Sequence, residues 1–147
     1  MNNLAENNTP TKKIYKDRAI WIGSFVGGPL IAGYFIAENY KALNEPENAK
    51  LTWTYTIPSI IFIFSLALLL ARFENFPALV IPLAYTTGAY LFSKYYQGPG
   101  IQAHLEAGGE EFGWGRIIGI SLLGLVLTFV MMFVFLLIIS GLGILPV

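Results

Sequence analysis

The chain contains no cysteine, a single histidine and few charged side chains. Lys, Arg, Asp and Glu make up 12% of its 147 residues, against about a quarter in ordinary globular proteins. The missing cysteines exclude disulfides, thiolate metal sites, iron–sulfur clusters and cysteine nucleophiles. Nine basic side chains balance nine acidic ones. Because nucleic-acid-binding proteins carry a basic excess, we expect no nucleic acid among the partners.

Four long stretches contain no Asp, Glu, Lys, Arg or His. They have 19, 21, 19 and 31 residues and cover 19–37, 51–71, 75–93 and 117–147. About 20 helical residues cross a hydrocarbon core of about 30 Å, and a charge at its centre costs about 3 kcal/mol. Residues 60–70 and 125–139 are apolar on every side of a helix, whereas a soluble helix keeps a polar stripe. The sequence therefore predicts the lipid bilayer as the environment of the chain.

The stretches predict an all-α membrane protein. We expect a bundle of four transmembrane helices, with a short interfacial helix in the loop between helices 3 and 4. A polar disordered tail, residues 1–16, would precede one transmembrane domain, residues 17–147. The predicted spans are about 19–43, 47–72, 76–96 and 115–141. Since only residues 72–77 separate the second and third spans, these two are expected to be antiparallel neighbours.

Small residues and prolines indicate where the helices pack or bend. Helices in lipid gain little from burying apolar surface, so close packing depends on small side chains. The predicted packing residues, on spans one and four, are Gly23, Gly27, Gly28, Gly33, Gly115, Gly119 and Gly124. They would hold the bundle together, form a dimer face or line a substrate path. The predicted kinks are Pro29, Pro58 and Pro82, and the Gly28–Pro29 pair is the foremost candidate for a functional break.

The loop from Lys94 to Arg116 is chemically the densest segment. The candidate polar or metal site in and near it consists of Glu38, His104, Glu106, Glu110 and Glu111. Imidazole and carboxylates suit zinc, manganese or iron. Their spacing matches no established ligand motif, and a solvated or partner-facing loop explains the same residues. We predict no catalytic residue and no cofactor.

The basic residues are almost evenly divided between the two sides of a four-span bundle. Five lie on the side of the tail and of residues 72–77, and four lie on the other side. Because four of the five cluster in residues 12–18, both termini are predicted to be cytoplasmic.

Residues 27–43, GGPLIAGYFIAENYKAL, resemble a segment of small uncharacterised bacterial multi-pass membrane proteins. These carry a similar Gly-Gly-Pro followed by an Asn-aromatic-Lys-Ala-Leu pattern. The resemblance implies a multi-pass protein of the bacterial inner (plasma) membrane, and it implies no catalytic residue.

The sequence is consistent with three functions. The first is a non-enzymatic integral membrane protein, an accessory or assembly subunit that packs against a membrane protein partner or against itself as a homo-oligomer. Its contact surfaces would be the glycine faces and the loop 98–116. The first alternative is a small oligomeric pore or transporter that uses Pro-kinked helices. The second is a membrane-surface metal or acid–base site around His104.

Overall fold

The computed structural model describes residues 10–144, and it is predominantly helical. Its helices are α1 (Asp17–Gly27), α2 (Pro29–Ala42), α3 (Pro46–Leu70), α4 (Val80–Phe92), α5 (Gly98–Glu106) and α6 (Trp114–Gly141), and a π-helical turn, Ser93–Gln97, joins α4 to α5. The all-α prediction is confirmed. Residues 1–9, which are most of the predicted tail, and residues 145–147 lie outside the described residues.

Two helices, α3 and α6, are long and apolar enough to cross a membrane. They contain 25 and 28 residues, which correspond to about 37 and 42 Å at 1.5 Å per residue. Only three residues of each helix are buried: Ala49, Ile60 and Phe64 in α3, and Ile117, Ser121 and Gly124 in α6. Each helix therefore contacts the rest of the protein through a narrow face.

The first predicted span is interrupted at Gly28. This residue has φ 87° and ψ 179°, a backbone conformation that is open almost only to glycine. Pro29 follows as the first residue of α2, where its missing N–H removes no helical hydrogen bond. The sequence Gly-Pro therefore ends one helix and starts another without an intervening loop.

Helix α2 runs back along α1, so the two form an antiparallel hairpin. The start of α1 meets the end of α2, because the Tyr15 amide donates to the Asn39 side chain at 2.7 Å. Midway along the pair, Gly23 lies against the Phe35 ring. A continuous helix would separate residues 15 and 39 by about 36 Å. The prediction of one crossing helix over residues 19–43 is therefore wrong, because the chain reverses at Gly28.

The hairpin is the centre of the fold, and α3, α4 and α6 pack against it. Helix α3 packs along α2, α6 packs mainly along α1, and α4 packs along both. Most of the buried apolar side chains belong to the hairpin, including Ile20, Ile31 and Phe35. The predicted second and third spans run antiparallel, but a groove separates them, since α3 packs on α2 while α4 packs mainly on α1.

Contacts between helices give the direction of each one. Helices α1 and α6 are parallel, because Gly23 lies near Ser121 and Gly27 near Gly124. Helix α4 begins beyond the tip of the hairpin and ends beside the start of α1, where Gln97 reaches the Ile36 carbonyl. We call the end that holds Tyr15, Asn39, Gln97 and Arg116 the charged end, and the end that holds Arg72 and Gly141 the opposite end. The described chain thus begins at the charged end and finishes at the opposite end, whereas four spans would return it to the same side.

Candidate functional site

The hairpin packs against α6 through glycines that allow close approach. A Cβ atom on Gly23 would come within 3.0 Å of the Ser121 hydroxyl, and one on Gly27 within 3.0 Å of the Ser121 carbonyl. On the facing helix, a Cβ on Gly124 would come within 2.8 Å of the Gly27 carbonyl. These three predicted packing residues therefore lie in one interface between α1 and α6, where any larger side chain would separate the backbones.

A side chain from α6 satisfies the carbonyl at the tip of the hairpin. The Thr128 hydroxyl donates to the Gly27 carbonyl at 3.0 Å. The last carbonyls of a helix have no partner within that helix, and an unpaired carbonyl is costly away from water. Thr128 thus allows α1 to end inside the bundle. Gly28 lies directly against the same threonine side chain.

The remaining predicted packing glycines have two different environments. Gly33 lies against Thr56 and lets α2 approach α3 closely. A Cβ on Gly115 or Gly119 would project into open space. These two residues lie one turn apart on the outward face of α6, together with the exposed side chains of Leu122 and Val126. The predicted packing glycines therefore fall into two groups. One group contacts another helix inside the protein, and the other, Gly115 and Gly119, faces outward on α6.

The three predicted kinks differ in the structure. Pro29 lies at the reversal of the hairpin. Pro58 lies inside α3, which continues as a helix past it. Pro82 is the third residue of α4, in the first turn, where a proline removes no bond. A proline that was not singled out, Pro99, follows the π-helical turn and cannot donate to the carbonyl four residues earlier.

Buried amide side chains join three segments at the charged end. Asn39 accepts a hydrogen bond from the Tyr15 amide and donates to the Tyr15 carbonyl at 2.8 Å. Gln97 donates to the Ile36 carbonyl at 2.8 Å, and its oxygen accepts from Ser93 at 3.1 Å and from Asn39 at 3.5 Å. Asn39 and Ser93 are fully buried and Gln97 is 1% exposed. The π-helical turn thus directs two polar side chains inward.

The residues before α1 form an extended segment that closes this end of the bundle. Ile14 pairs with the loop before α6, since its amide donates to the Glu110 carbonyl and its carbonyl accepts from Phe112. Two ion pairs flank it, Lys13 with Glu110 at 2.6 Å and Lys16 with Glu111 at 2.7 Å. Ile14 and Tyr15 are almost fully buried, so this part of the predicted disordered tail packs against the bundle, while residues 11–13 and Lys16 are exposed.

Two ionisable groups at this contact, one on each side of it, have shifted pKa values. Burial raises the pKa of the Tyr15 phenol to about 12, although the hydrogen bond from Arg116 acts in the opposite direction. The hydrogen bond from Lys13, assisted by its charge, lowers the pKa of the exposed Glu110 carboxyl. Both shifts connect the ionisation of these side chains to the docking of residues 10–16.

The structure separates the members of the predicted polar or metal site. Glu110 and Glu111 pair with lysines of the first segment, Glu38 pairs with Lys41, and Glu106 accepts from Gln102. His104 is buried, and Gly109 lies against its ring. Within residues 10–144, no three His, Asp or Glu side chains come close enough to hold a metal ion together. The carboxylates thus face several different partners.

A groove separates α3 from α4, and α2 forms its floor. Its volume is about 460 Å³, within the range of about 300–1,000 Å³ that small-molecule sites occupy. The floor includes Ala32 and Gly33, and the α4 wall includes Gly88 and Ala89. The exposed Tyr55 lies on the α3 wall. Small side chains on two of the three helices create the space.

Sequence reasoning did not identify the groove, Asn39 or Gln97. The groove depends on which helices pack together, and the interruption of the first span changes that packing. The one available signal was polarity, since Asn39 and Gln97 are uncharged amides near the ends of apolar stretches. No protein-family model, curated protein or solved structure matches the chain.

Proposed function

We propose that the chain is a non-enzymatic integral membrane protein of the bacterial inner membrane. In this proposal α3, α4 with the π-helical turn, and α6 cross the bilayer, while α1 and α2 enter and leave from the charged end as a re-entrant hairpin. The fold then has three crossings rather than four. All three crossing helices pack against the hairpin, and the outward face of α1, with Trp21 and Phe25, is apolar and exposed. The reversal at Gly28 lies against Thr128 of α6, as non-helical backbone at membrane depth requires.

The distribution of apolar side chains carries the proposal. Large apolar side chains are exposed along the outer faces of the three crossing helices, including Phe62, Leu83 and Phe129. The polar contacts of Asn39 and Gln97 are buried inside. An exposed apolar surface of this extent is unfavourable in water and matches a hydrocarbon environment.

The re-entrant hairpin also changes the expected orientation. Eight of the nine basic residues lie at the charged end: Lys12, Lys13, Lys16, Arg18, Lys41, Lys50, Lys94 and Arg116. Arg72 is the ninth, in the short connection at the opposite end. The excess of Lys and Arg on cytoplasmic segments then places the charged end in the cytoplasm and the end of α6 outside. The predicted location of both termini in the cytoplasm is replaced by this orientation.

We assign the protein an accessory role, in which it packs against a partner or a second copy in the membrane. The outward strip of α6, defined by Gly115, Gly119, Leu122 and Val126, is the contact surface in this proposal. Within residues 10–144, a Cβ atom on either of its two glycines would meet no other atom within 4 Å, so internal packing of the described residues does not explain them. The ionisable side chains of the loop before α6 pair separately within the protein, which favours a structural role over catalysis.

Extraction in a mild detergent followed by native mass measurement tests this role. We expect a complex larger than the 16.3 kDa chain. The Gly119→Leu variant should lower the fraction of complex on the order of tenfold, because the added side chain separates the helices. Gly88→Leu is the matched control, since Gly88 also has open space but lies on α4. A lone chain, or equal loss in both variants, would contradict the proposal.

A further inference from the structure

A cavity at the charged end is lined by charged side chains of both signs. It lies between the start of α1, the π-helical turn and α5. Its volume is about 670 Å³, within the range of about 300–1,000 Å³ that small-molecule sites occupy. We propose that it binds a phospholipid headgroup that carries a phosphate and a primary ammonium group, as in phosphatidylethanolamine. The inference rests on the proposed membrane location and concerns a surface other than the outward strip of α6.

Three cationic side chains line the cavity: Lys16, Arg18 and Lys94. Within residues 10–144, neither Arg18 nor Lys94 forms an ion pair. The Lys94 ammonium lies over the Tyr90 ring, 5.7 Å from its centroid. Lys16 pairs with Glu111, but both side chains are about half exposed, and exposed pairs are weak. These cations can therefore donate to the oxygens of a phosphate, which accept charge-assisted hydrogen bonds.

Two carboxylates, Asp17 and Glu106, line the same cavity. In the described part of the chain neither forms an ion pair. The Glu106 carboxylate accepts from the Gln102 amide at 2.8 Å, and the Oδ1 atom of Asp17 is buried without a hydrogen-bond partner. Asp17 does not pair with the adjacent Arg18, because neighbouring residues of a helix face different directions.

The balance of charges around the cavity favours a zwitterionic ligand. Among the described residues, the side chains that line it without an ion pair carry two positive and two negative charges. A phosphate alone would be attracted by the cations and repelled by the carboxylates. A ligand that also carries an ammonium group pairs with charges of both signs. The trimethylammonium group of phosphatidylcholine has no N–H donor, so a primary ammonium is the better match for carboxylate oxygens.

The surface that continues from Arg18 favours a lipid over a soluble zwitterion. Trp21, Ile22 and Phe25 follow Arg18 at spacings of three, four and seven residues, so all four lie on one face of α1. The three apolar side chains are exposed, and the rings of Trp21 and Phe25 stack with their centroids 6.1 Å apart. In the proposed orientation this face lies in the hydrocarbon next to the cavity. A phospholipid can place its acyl chains on this face and its headgroup among the charged side chains.

Retention of lipid after reconstitution tests the proposal. The protein would be placed in nanodiscs of equal parts phosphatidylethanolamine and phosphatidylcholine with the same acyl chains, released into mild detergent, and analysed by native mass spectrometry. We expect the unmodified chain to retain one phospholipid, with a preference for phosphatidylethanolamine on the order of tenfold, because only its ammonium donates hydrogen bonds. Equal retention of the two lipids would overturn the proposal.

The cations have their own variants. Arg18→Gln with Lys94→Gln should lower retention of both lipids on the order of tenfold, because the phosphate loses its charged donors. Lys50→Gln with Arg72→Gln is the matched control, since it removes the same two residue types from exposed positions outside the cavity. Helical circular dichroism before and after heating reports whether each variant is folded. Unchanged retention in the folded cavity variant would contradict phosphate binding by these side chains.

The carboxylates should affect the choice of lipid rather than its retention. Asp17→Asn with Glu106→Gln should abolish the preference for phosphatidylethanolamine, whereas Glu47→Gln with Glu74→Gln, at exposed positions outside the cavity, should preserve it. Glu106 is exposed, so Glu106→Gln alone keeps the test valid if the Asp17 change prevents folding, and it should reduce the preference. An unchanged preference in these folded cavity variants would refute the ammonium contact.

A last comparison separates the lipid from a soluble ligand with the same headgroup. Free phosphoethanolamine, added during release from the nanodiscs, should leave the bound lipid in place, because it has no acyl chain to contact α1. Retention of free phosphoethanolamine instead of lipid would overturn the proposal. A chain that integrates in the membrane with the expected orientation but retains no lipid refutes this inference alone. A chain that does not integrate refutes the proposed function.

Discussion

At the scale of single residues, the Asn39 side chain joins segments that meet at the charged end. Its side chain pairs with both backbone groups of Tyr15 and also reaches Gln97. At an exposed helix position, water can replace the hydrogen bonds of an amide side chain. Asn39 is fully buried, so removal of its side chain would leave the groups that it bonds without a hydrogen-bond partner.

We expect Asn39→Ala to lower the free energy of unfolding by about 3 kcal/mol, because several buried polar groups lose their partner. Asn48→Ala is the control, since the Asn48 side chain is exposed and bonds only to Glu45. Unfolding in mixed micelles measures both variants. Similar stability of the two would show that the buried amide contributes nothing beyond its helix.

The ion pair between Lys13 and Glu110 makes docking of the first segment depend on pH. The pKa of Glu110 is lowered in the folded protein from its ordinary value of 4.5. The stabilisation is therefore fully present above pH 4.5 and is lost as the pH falls through the lowered pKa. A lower protection of the Ile14 amide in acid, measured as its hydrogen-exchange rate relative to the intrinsic rate at the same pH, would report this loss. Glu110→Gln should remove the acid dependence, while Glu47→Gln, which alters a pair on α3, should not.

At the scale of elements, the hairpin depends on the conformation of one residue. Gly28 combines a positive φ of 87° with direct contact to Thr128. No other residue type adopts this conformation without strain of about 1–3 kcal/mol. The hairpin therefore requires a glycine at position 28, and a hydrophobicity profile does not reveal this requirement.

We expect Gly28→Ala to lower the free energy of unfolding by about 3 kcal/mol, from backbone strain together with displacement of Thr128. Gly88→Ala is the control, because Gly88 is helical with open space beside it. There the change should be neutral or stabilising by up to about 1 kcal/mol. Thermal unfolding of the purified variants distinguishes them. Equal effects would argue against a reversal at Gly28.

At the scale of the whole molecule, the proposed membrane arrangement makes the hairpin decide on which side of the membrane each loop lies. Four crossings would place Glu47 and Asn75 on the outer and cytoplasmic sides, respectively. The re-entrant arrangement reverses both positions. The absence of cysteine from the chain makes a direct measurement possible, because a single introduced cysteine is the only thiol.

In intact cells, we expect a membrane-impermeant maleimide to label Asn75→Cys and to leave Glu47→Cys unlabelled until the cells are lysed. Both positions are exposed, so accessibility within the protein is matched. Labelling of Glu47→Cys in intact cells together with protection of Asn75→Cys would restore the four-span topology. The same pair of variants measures membrane integration.

Composition and local pattern predicted the helical class because the runs without charge are long and apolar on every side of α3 and α6. The end of α6 at Gly141 follows from glycine, and the short helix predicted in the loop between the last two spans corresponds to α5, Gly98–Glu106. The Gly28–Pro29 pair was recognisable as a break. The same Gly-Pro pair is compatible with a moderate kink or with a complete reversal, however. Which of the two forms depends on the residues that α2 contacts.

The sequence by itself determined that the chain is helical, apolar and almost free of ionisable groups within its long runs, because these properties are local. Only the tertiary structure decided that α2 returns along α1, since the reversal depends on Thr128, Ser121 and Gly124 meeting the hairpin from a distant helix. The groove between α3 and α4 follows from that decision. The reversal also brings eight basic residues to one end of the bundle. The charge at each end depends on how many times the chain passes from one end to the other.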